Sequence, residues 1–292
     1  IGSFLVLPLG RRKVMGVVWG PGEGQYDHSK VRNAISVIDV PPMSYKMRRF
    51  LEAVSDYTIT PINLILRLCT RVPDLNKPSV TQKVFSLVSN YSDFKKTPQR
   101  DLLISALTKT NKNKLTTKEI VSISGVSSAV IAAAARIGIL NEEIIPRDRP
   151  YPVLNPNFKS KKLSPSQINA CTAIMDLQKK NSFSSILLQG VTGSGKTEVY
   201  LEAVANALKN GEQVLVLLPE IALTSEFFNR VKNRFGANPA EWHSGATLAE
   251  RRRIWKMVAS GGAKLVIGAR SALFLPFMNL GLVIVDEEHD HS

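Results

Sequence analysis

Cysteine is nearly absent from this sequence. Cys69 and Cys171 are the only two in 292 residues, and they stand far apart. No paired spacing of the kind used by zinc knuckles or disulfide frameworks can be drawn from them, and a reducing compartment fits. Long apolar runs are lacking too. No stretch approaches the roughly 18 consecutive apolar residues that a membrane-spanning helix needs, so no membrane partner is expected. Acidic residues are in short supply, 24 against 38 lysines and arginines, which leaves a net charge of +14. Such an excess favours a polyanionic partner, usually nucleic acid, over a basic protein with no such partner. The opening Ile1-Gly2-Ser3-Phe4 is neither a signal peptide nor a normal initiator methionine, and reads as an artificial boundary. What the chain does have is an ordinary apolar share, 44%, against 21% charged, enough for packed cores. The length suggests two or three domains.

Three regimes follow one another. Residues 1–72 begin with short β-like runs, Phe4 to Leu9, Val14 to Trp19 and Ala34 to Val40, divided by glycines and charges. A helical stretch, Tyr45 to Arg71, follows with Pro61 at an interior break. The β-like runs suggest a small β-meander or barrel-like unit. Residues 73–155 open on a linker, Val72 to Pro78, and then turn helical. Gln99 to Thr110 places Leu102, Leu103, Ala106 and Leu107 on one face. Thr117 to Ile123 is a second helix, Gly125 a turn, and Ser127 to Ile137 a third helix with a serine cap. With the β-like run Leu140 to Ile145 this reads as a winged helix. Its third helix holds Ala132 to Ala135, which offer base edges no hydrogen bonds, so a scaffold or shape-reading role is favoured over sequence readout. A second linker, Tyr151 to Ser164, leads into residues 156–292. There, strands at Ser185–Gln189 (buried), Val214–Leu218, Lys264–Ile267 and Leu282–Val285 alternate with helices at Thr197–Lys209, Ser225–Phe235 and Leu248–Ser260. That alternation implies a parallel α/β sheet, so the whole is a multidomain chain ending in a RecA-like P-loop NTPase lobe.

The sharpest chemical signal is Gly190-Val191-Thr192-Gly193-Ser194-Gly195-Lys196-Thr197. It matches G-x-x-x-x-G-K-[ST] in full, between an apolar run and a helix. Glycines let backbone N–H groups turn inward around phosphate oxygens, and the helix N-terminus adds donors and partial positive charge. Lys196 is expected to reach the β- and γ-phosphates of ATP, and the Thr197 hydroxyl to ligate Mg²⁺. The second signal is Leu282-Val283-Ile284-Val285-Asp286-Glu287-Glu288-His289. A strand delivers two acids to the ligand edge of a parallel sheet. Asp286 is expected to hold Mg²⁺, and Glu287 to orient and activate water.

Softer signals surround these. Gln167 could offer its amide to the adenine edge, or be a polar residue in the first turn of a helix whose N1 is Pro165. Thr224, Arg270 and Ser271 close strands on the ligand edge and are candidates for phosphate contacts to single-stranded DNA, with solvated turns as the alternative. His243 is either a contact or a cap.

At these residues the chain resembles the PriA family of primosomal replication-restart helicases. The resemblance rests on Gly190 through Tyr200, Leu218-Pro219-Glu220-Ile221, His243-Ser244-Gly245, Arg270-Ser271-Ala272-Leu273-Phe274 and Asp286 through Asp290. It implies a 3′→5′ DNA helicase of superfamily 2 that binds stalled forks. Implied partners are forked and single-stranded DNA, single-strand binding protein and primosome- and replisome-loading proteins, in a bacterial, nucleoid-associated cytoplasmic setting. The earlier part fits the family's 3′-end-binding domain through Gly2, Pro8-Leu9-Gly10-Arg11-Arg12 and Gly16-Val17-Val18, with Gly10, Arg11 and Arg12 toward DNA. The family's Phe-Asp-Tyr pocket element, zinc region, second lobe and arginine finger lie outside this sequence. The resemblance therefore implies zinc only in that further part, and weak hydrolysis by this chain alone. A related fork-remodelling translocase and a non-catalytic fork-binding module are the rival readings.

Overall fold

The computed structural model describes residues 1–22, 27–70, 72, 75, 81–91, 94–110, 112–146, 151–180, 182–191 and 193–286. Residues 1–77 and 150–292 form one compact unit, and residues 78–149 another.

In the first unit, β1 (Phe4–Leu9) pairs antiparallel with β2 (Arg12–Val17) across a tight turn, and with the two-residue β3 (Ser36–Val37). The third expected run, Ala34 to Val40, is thus mostly irregular. Gly10 turns the β1–β2 hairpin at φ 58°, a conformation that glycine adopts without strain. Gly2 is buried at φ 87°, and a Cβ there would stand 2.5 Å from the Met43 carbonyl oxygen. α1 (Tyr45–Thr58) and α2 (Ile62–Thr70) follow, capped by Ser44 and divided at Pro61 as the sequence predicts.

The rest of this unit is an α/β layer. α6 (Pro165–Lys179) precedes the Gly-rich loop, and α7 (Lys196–Lys209) follows it. Then come β7 (Gln213–Leu217), α8 (Ser225–Phe235), β8 (Ala240–Trp242), α9 (Leu248–Ala259), β9 (Leu265–Gly268) and β10 (Leu280–Val285). The strands lie in the order β10-β7-β9-β8, all parallel. β8 gave no signal in the sequence, being three residues long.

One expected strand is not formed. Ser185–Gln189 carries no ladder and is largely exposed, Leu187 at 74%. It faces β10 across a groove of about 670 Å³, lined by Ile186, Leu187, Leu282 and Val283 among others. An apolar run signals burial but does not name a pairing strand, and here no described strand lies against it.

Because strand side chains alternate, the sheet has two faces that need cover. Val214, Val216, Leu265 and Ile267 pack on one side with Tyr200, Leu201, Val204, Val231 and Phe235 of α7 and α8. Leu215, Val266 and Ala240 pack on the other with Ile254, Trp255 and Val258 of α9, and with Phe4, Val6, Met47, Leu51 and Ile65 of the N-terminal part. The N-terminal sheet and helices are therefore a covering layer of the parallel sheet. Trp255, fully buried, packs edge-on against Phe4 at 5.0 Å and donates its indole N–H to the Cys69 carbonyl at 2.6 Å. Gln213, also fully buried, donates to the Val258 and Ala263 carbonyls and accepts from the Met278 and Asn279 N–H groups, so its amide is satisfied.

The second unit holds α3 (Pro98–Thr108), α4 (Thr117–Ser124) and α5 (Ser128–Arg136) against an antiparallel sheet β5-β4-β6, formed by Leu115–Thr116, Thr81–Leu87 and Leu140–Pro146. β4 was not anticipated. α3 buries Leu103 and Leu107 but exposes Leu102, so the expected apolar face is narrower. Ser127 caps α5 in backbone geometry without a side-chain hydrogen bond. Gly125 ends α4 at φ 71°. The linker predicted at Val72 to Pro78 falls mostly outside the described residues, of which Val72 and Leu75 are buried. Among the described residues no single helix is long and apolar enough to cross a membrane.

Candidate nucleotide and nucleic-acid site

The Gly-rich loop leads into α7 at the edge where the parallel strands end. Gly193 and Gly195 take φ 80° and 84°, and a Cβ on Gly195 would lie 2.3 Å from the Gln167 amide nitrogen. At that φ a side chain is strained, and a Cβ would have to displace the Gln167 amide. Gly195 is also the N-cap of α7 and offers no side-chain cap, so the first-turn donors and the helix dipole face the loop. Gly190, Val191, Ser194 and Lys196 complete the described loop; Thr192 lies outside the described residues. The Lys196 ammonium folds back on the Gly190 carbonyl at 2.6 Å, inside the cradle of its own loop.

Glu198, in the first turn of α7, would oppose an anion. Burial raises its carboxyl pKa, but Lys161 at 2.7 Å and Arg230 at 2.8 Å outweigh burial and hold it below the ordinary carboxylate range. Its charge is thus answered locally. Sequence reasoning missed this triad, since Lys161 and Arg230 lie 37 and 32 positions away.

Gln167 forms a capping box with Ser164, accepting from the Ser164 N–H at 2.9 Å. Its amide nitrogen donates to the Ser194 carbonyl, also at 2.9 Å. Here it clamps the loop.

β10 delivers Asp286 to the same cavity as the loop, which Gly190, Gly193, Gly195, Lys196, Thr197, Tyr200, Arg230 and Asp286 all line. The Asp286 backbone N–H is tied to the Leu217 carbonyl at 3.0 Å, and its Oδ2 accepts from the Tyr200 hydroxyl at 2.8 Å. Glu287 lies outside the described residues. One hydroxyl, Thr197, and one carboxylate, Asp286, suit Mg²⁺, which binds through one or two protein oxygens plus substrate phosphates. Among the described residues there is no group of three or more His, Cys, Asp or Glu side chains that could hold a metal ion.

The candidate DNA-contact residues separate into two places. Thr224 caps α8 through its hydroxyl, Ser271 accepts from the Trp242 indole at 3.0 Å, and Arg270 is exposed at the end of β9. Trp242 and Ser244 join this edge, the latter bonded to Glu220, while Arg251 binds the His243 and Ser244 carbonyls. Gly10, Arg11 and Arg12 are exposed on the β1–β2 hairpin.

A phosphate cradle at a helix N-terminus with an acid across it on a parallel strand is the arrangement of a P-loop nucleotide-binding lobe. Comparison with known proteins agrees: residues 164–292 match the DEAD/DEAH box helicase family, and residues 1–71 match the 3′ DNA-binding domain (3′BD). The chain is 44% identical to the replication restart protein PriA of Rickettsia conorii over 165 residues, 54% of this chain and 25% of that protein. It is 39% identical to that of Bacillus subtilis over 184 residues, 61% of this chain and 22% of that protein. For Chlamydia muridarum the identity is 37% over 199 residues, 66% of this chain and 26% of that protein. Over these stretches the chain is similar to replication restart proteins PriA, and it spans about a quarter of the length of these relatives.

Proposed function

We propose that this chain is the DNA-end-binding and ATP-binding part of a replication-restart helicase, a motor moving 3′→5′ along single-stranded DNA at stalled forks. The observation that carries this reading is the shared core. The part that matches a 3′ DNA-binding domain covers one face of the very sheet whose edge holds the ATP cradle. In this reading Lys196 and the loop N–H groups bind the phosphates, and Thr197 and Asp286 hold Mg²⁺, which offsets phosphate charge when bound. Glu287 activates water, and Gln167 links the adenine edge to the loop through Ser194. Gly10, Arg11, Arg12, Thr224, Arg270 and Ser271 contact DNA. Residues 78–149 act as a winged helix that reads shape, supported by three helices against a small antiparallel sheet. Single-strand binding protein and primosome- and replisome-loading proteins are the partners, and the bacterial nucleoid the setting. On its own, a single lobe binds ATP and DNA but turns over slowly.

The test is binding of this chain to forked DNA with and without a free leading-strand 3′ end, read by fluorescence anisotropy over a salt series. Tighter binding to the 3′-end fork is expected, with log affinity falling linearly with log salt. Lys196→Ala should abolish nucleotide binding and leave DNA affinity unchanged. Equal binding to every DNA would remove the 3′-end role.

A further inference from the structure

Tyr200 has no role in the reading above, yet it joins the two groups assigned to Mg²⁺. It sits one turn after Thr197 on α7, 5% exposed. Its hydroxyl crosses to β10 and donates to Asp286 Oδ2 at 2.8 Å. The Asp286 backbone is secured by the bond to Leu217. The orientation of a carboxylate is set by the groups it bonds, and the Tyr200 hydroxyl is one of them.

We infer that Tyr200 is a positioning residue for the metal: its hydroxyl fixes the Asp286 carboxylate opposite Thr197, so that both are in place before Mg²⁺-nucleotide arrives. The inference rests on the nucleotide-site reading and deepens it. A hydrogen bond that orients a metal ligand from behind typically matters about 10-fold or more in metal affinity. The residue cannot be replaced by phenylalanine without loss, although phenylalanine preserves the ring that packs with Leu201, Val204 and Val216 in the core.

The experiment measures binding of a fluorescent ADP to the 292-residue chain across a Mg²⁺ series from chelator to excess, for the wild type, Tyr200→Phe, Asp286→Asn and the double variant. Expected is a wild-type ADP affinity that rises with Mg²⁺. Tyr200→Phe should keep the Mg²⁺-free affinity but shift the Mg²⁺ midpoint upward by roughly tenfold or more. The double variant should be no worse than Asp286→Asn, because the tyrosine acts through that carboxylate. An unchanged Mg²⁺ midpoint in Tyr200→Phe overturns the inference. So does an equal loss of ADP affinity with and without Mg²⁺, or a double variant whose losses add, since each marks a merely structural tyrosine. Thermal melting checks the fold of each variant. If Tyr200→Phe proves unstable, Asp286→Asn decides, since an unaltered Mg²⁺ midpoint there removes the carboxylate on which the inference depends. A wild type that fails to bind ADP at any Mg²⁺ concentration removes the nucleotide-site reading itself, a distinguishable result.

Discussion

Trp255→Ala is the perturbation that most directly probes the shared core. The side chain is fully buried, lies edge-on to Phe4 and holds the Cys69 carbonyl through its indole N–H. Truncating a buried tryptophan costs about 3–5 kcal/mol, a large share of the ~5–15 kcal/mol that keeps a domain folded. Trp255→Phe isolates the hydrogen bond. It keeps most of the ring but leaves the Cys69 carbonyl without this partner, a cost of about 1–3 kcal/mol. With a urea slope of ~3 kcal/mol per molar, the Ala variant should lower the unfolding midpoint by roughly 1–1.7 M. The assay is built into the sequence, since the two other tryptophans report separate places. Trp19 lies beyond β2 and donates to Glu52, and Trp242 ends β8 and donates to Ser271. Their fluorescence transitions should coincide in the wild type and move together in Trp255→Ala. A variant in which Trp19 unfolds early while the Trp242 transition stays where it was would refute the claim that one core serves both parts.

Three further outcomes follow from local chemistry. Gly195→Ala forces a Cβ onto the Gln167 amide at positive φ, so nucleotide affinity should fall at least tenfold in a binding titration while the global unfolding midpoint moves little. Glu119 closes the α4 capping box; the Thr116 N–H and then Lys112 hold its carboxyl at about 2 despite some desolvation, against an ordinary 4.5. Its contribution is present above about pH 4.5 and is lost as pH falls toward 2. The acid side of the stability curve of residues 78–149 should therefore flatten in Glu119→Gln, as read by circular dichroism between pH 2 and 5. Burial pushes the Cys69 thiol up to about 12, and burial with Glu202 nearby raises Cys171 as well. Neither should react with a maleimide at pH 8 until denaturant is added, and both should then become reactive at the same urea concentration, since they lie in one unit. Rapid labelling of Cys69 in the native chain would contradict its place in the core.

The cradle was legible because its chemistry is local. Glycines at two positive-φ positions, a lysine and a hydroxyl within eight residues leave little room for another reading, and the structure puts Gly193, Gly195 and Lys196 where that spacing requires. The start of α6 at Pro165 and the turn at Gly125 were legible for the same reason, whereas the caps Thr224 and Thr247 went unread although each acts on a residue three positions away. What the sequence hid is everything whose partner is distant. An apolar run at Ser185–Gln189 shows that the segment is suited to a strand, but a strand exists only against another strand, and none is described beside it. Leu215 and Val266 lie in continuous apolar runs that announce burial without saying that Phe4 and Met47, some 200 residues earlier, supply part of the cover. Tyr200 shows the limit most clearly. In a helix read by period it is a core aromatic, indistinguishable from Leu201 or Val204, and nothing in its neighbours marks the hydroxyl. Only the crossing of α7 and β10 brings that oxygen to Asp286, 86 positions away. The same crossing explains why the site can be strong in sequence and still incomplete in its reading: a motif specifies the groups that touch a ligand, whereas the fold selects the groups that hold them still.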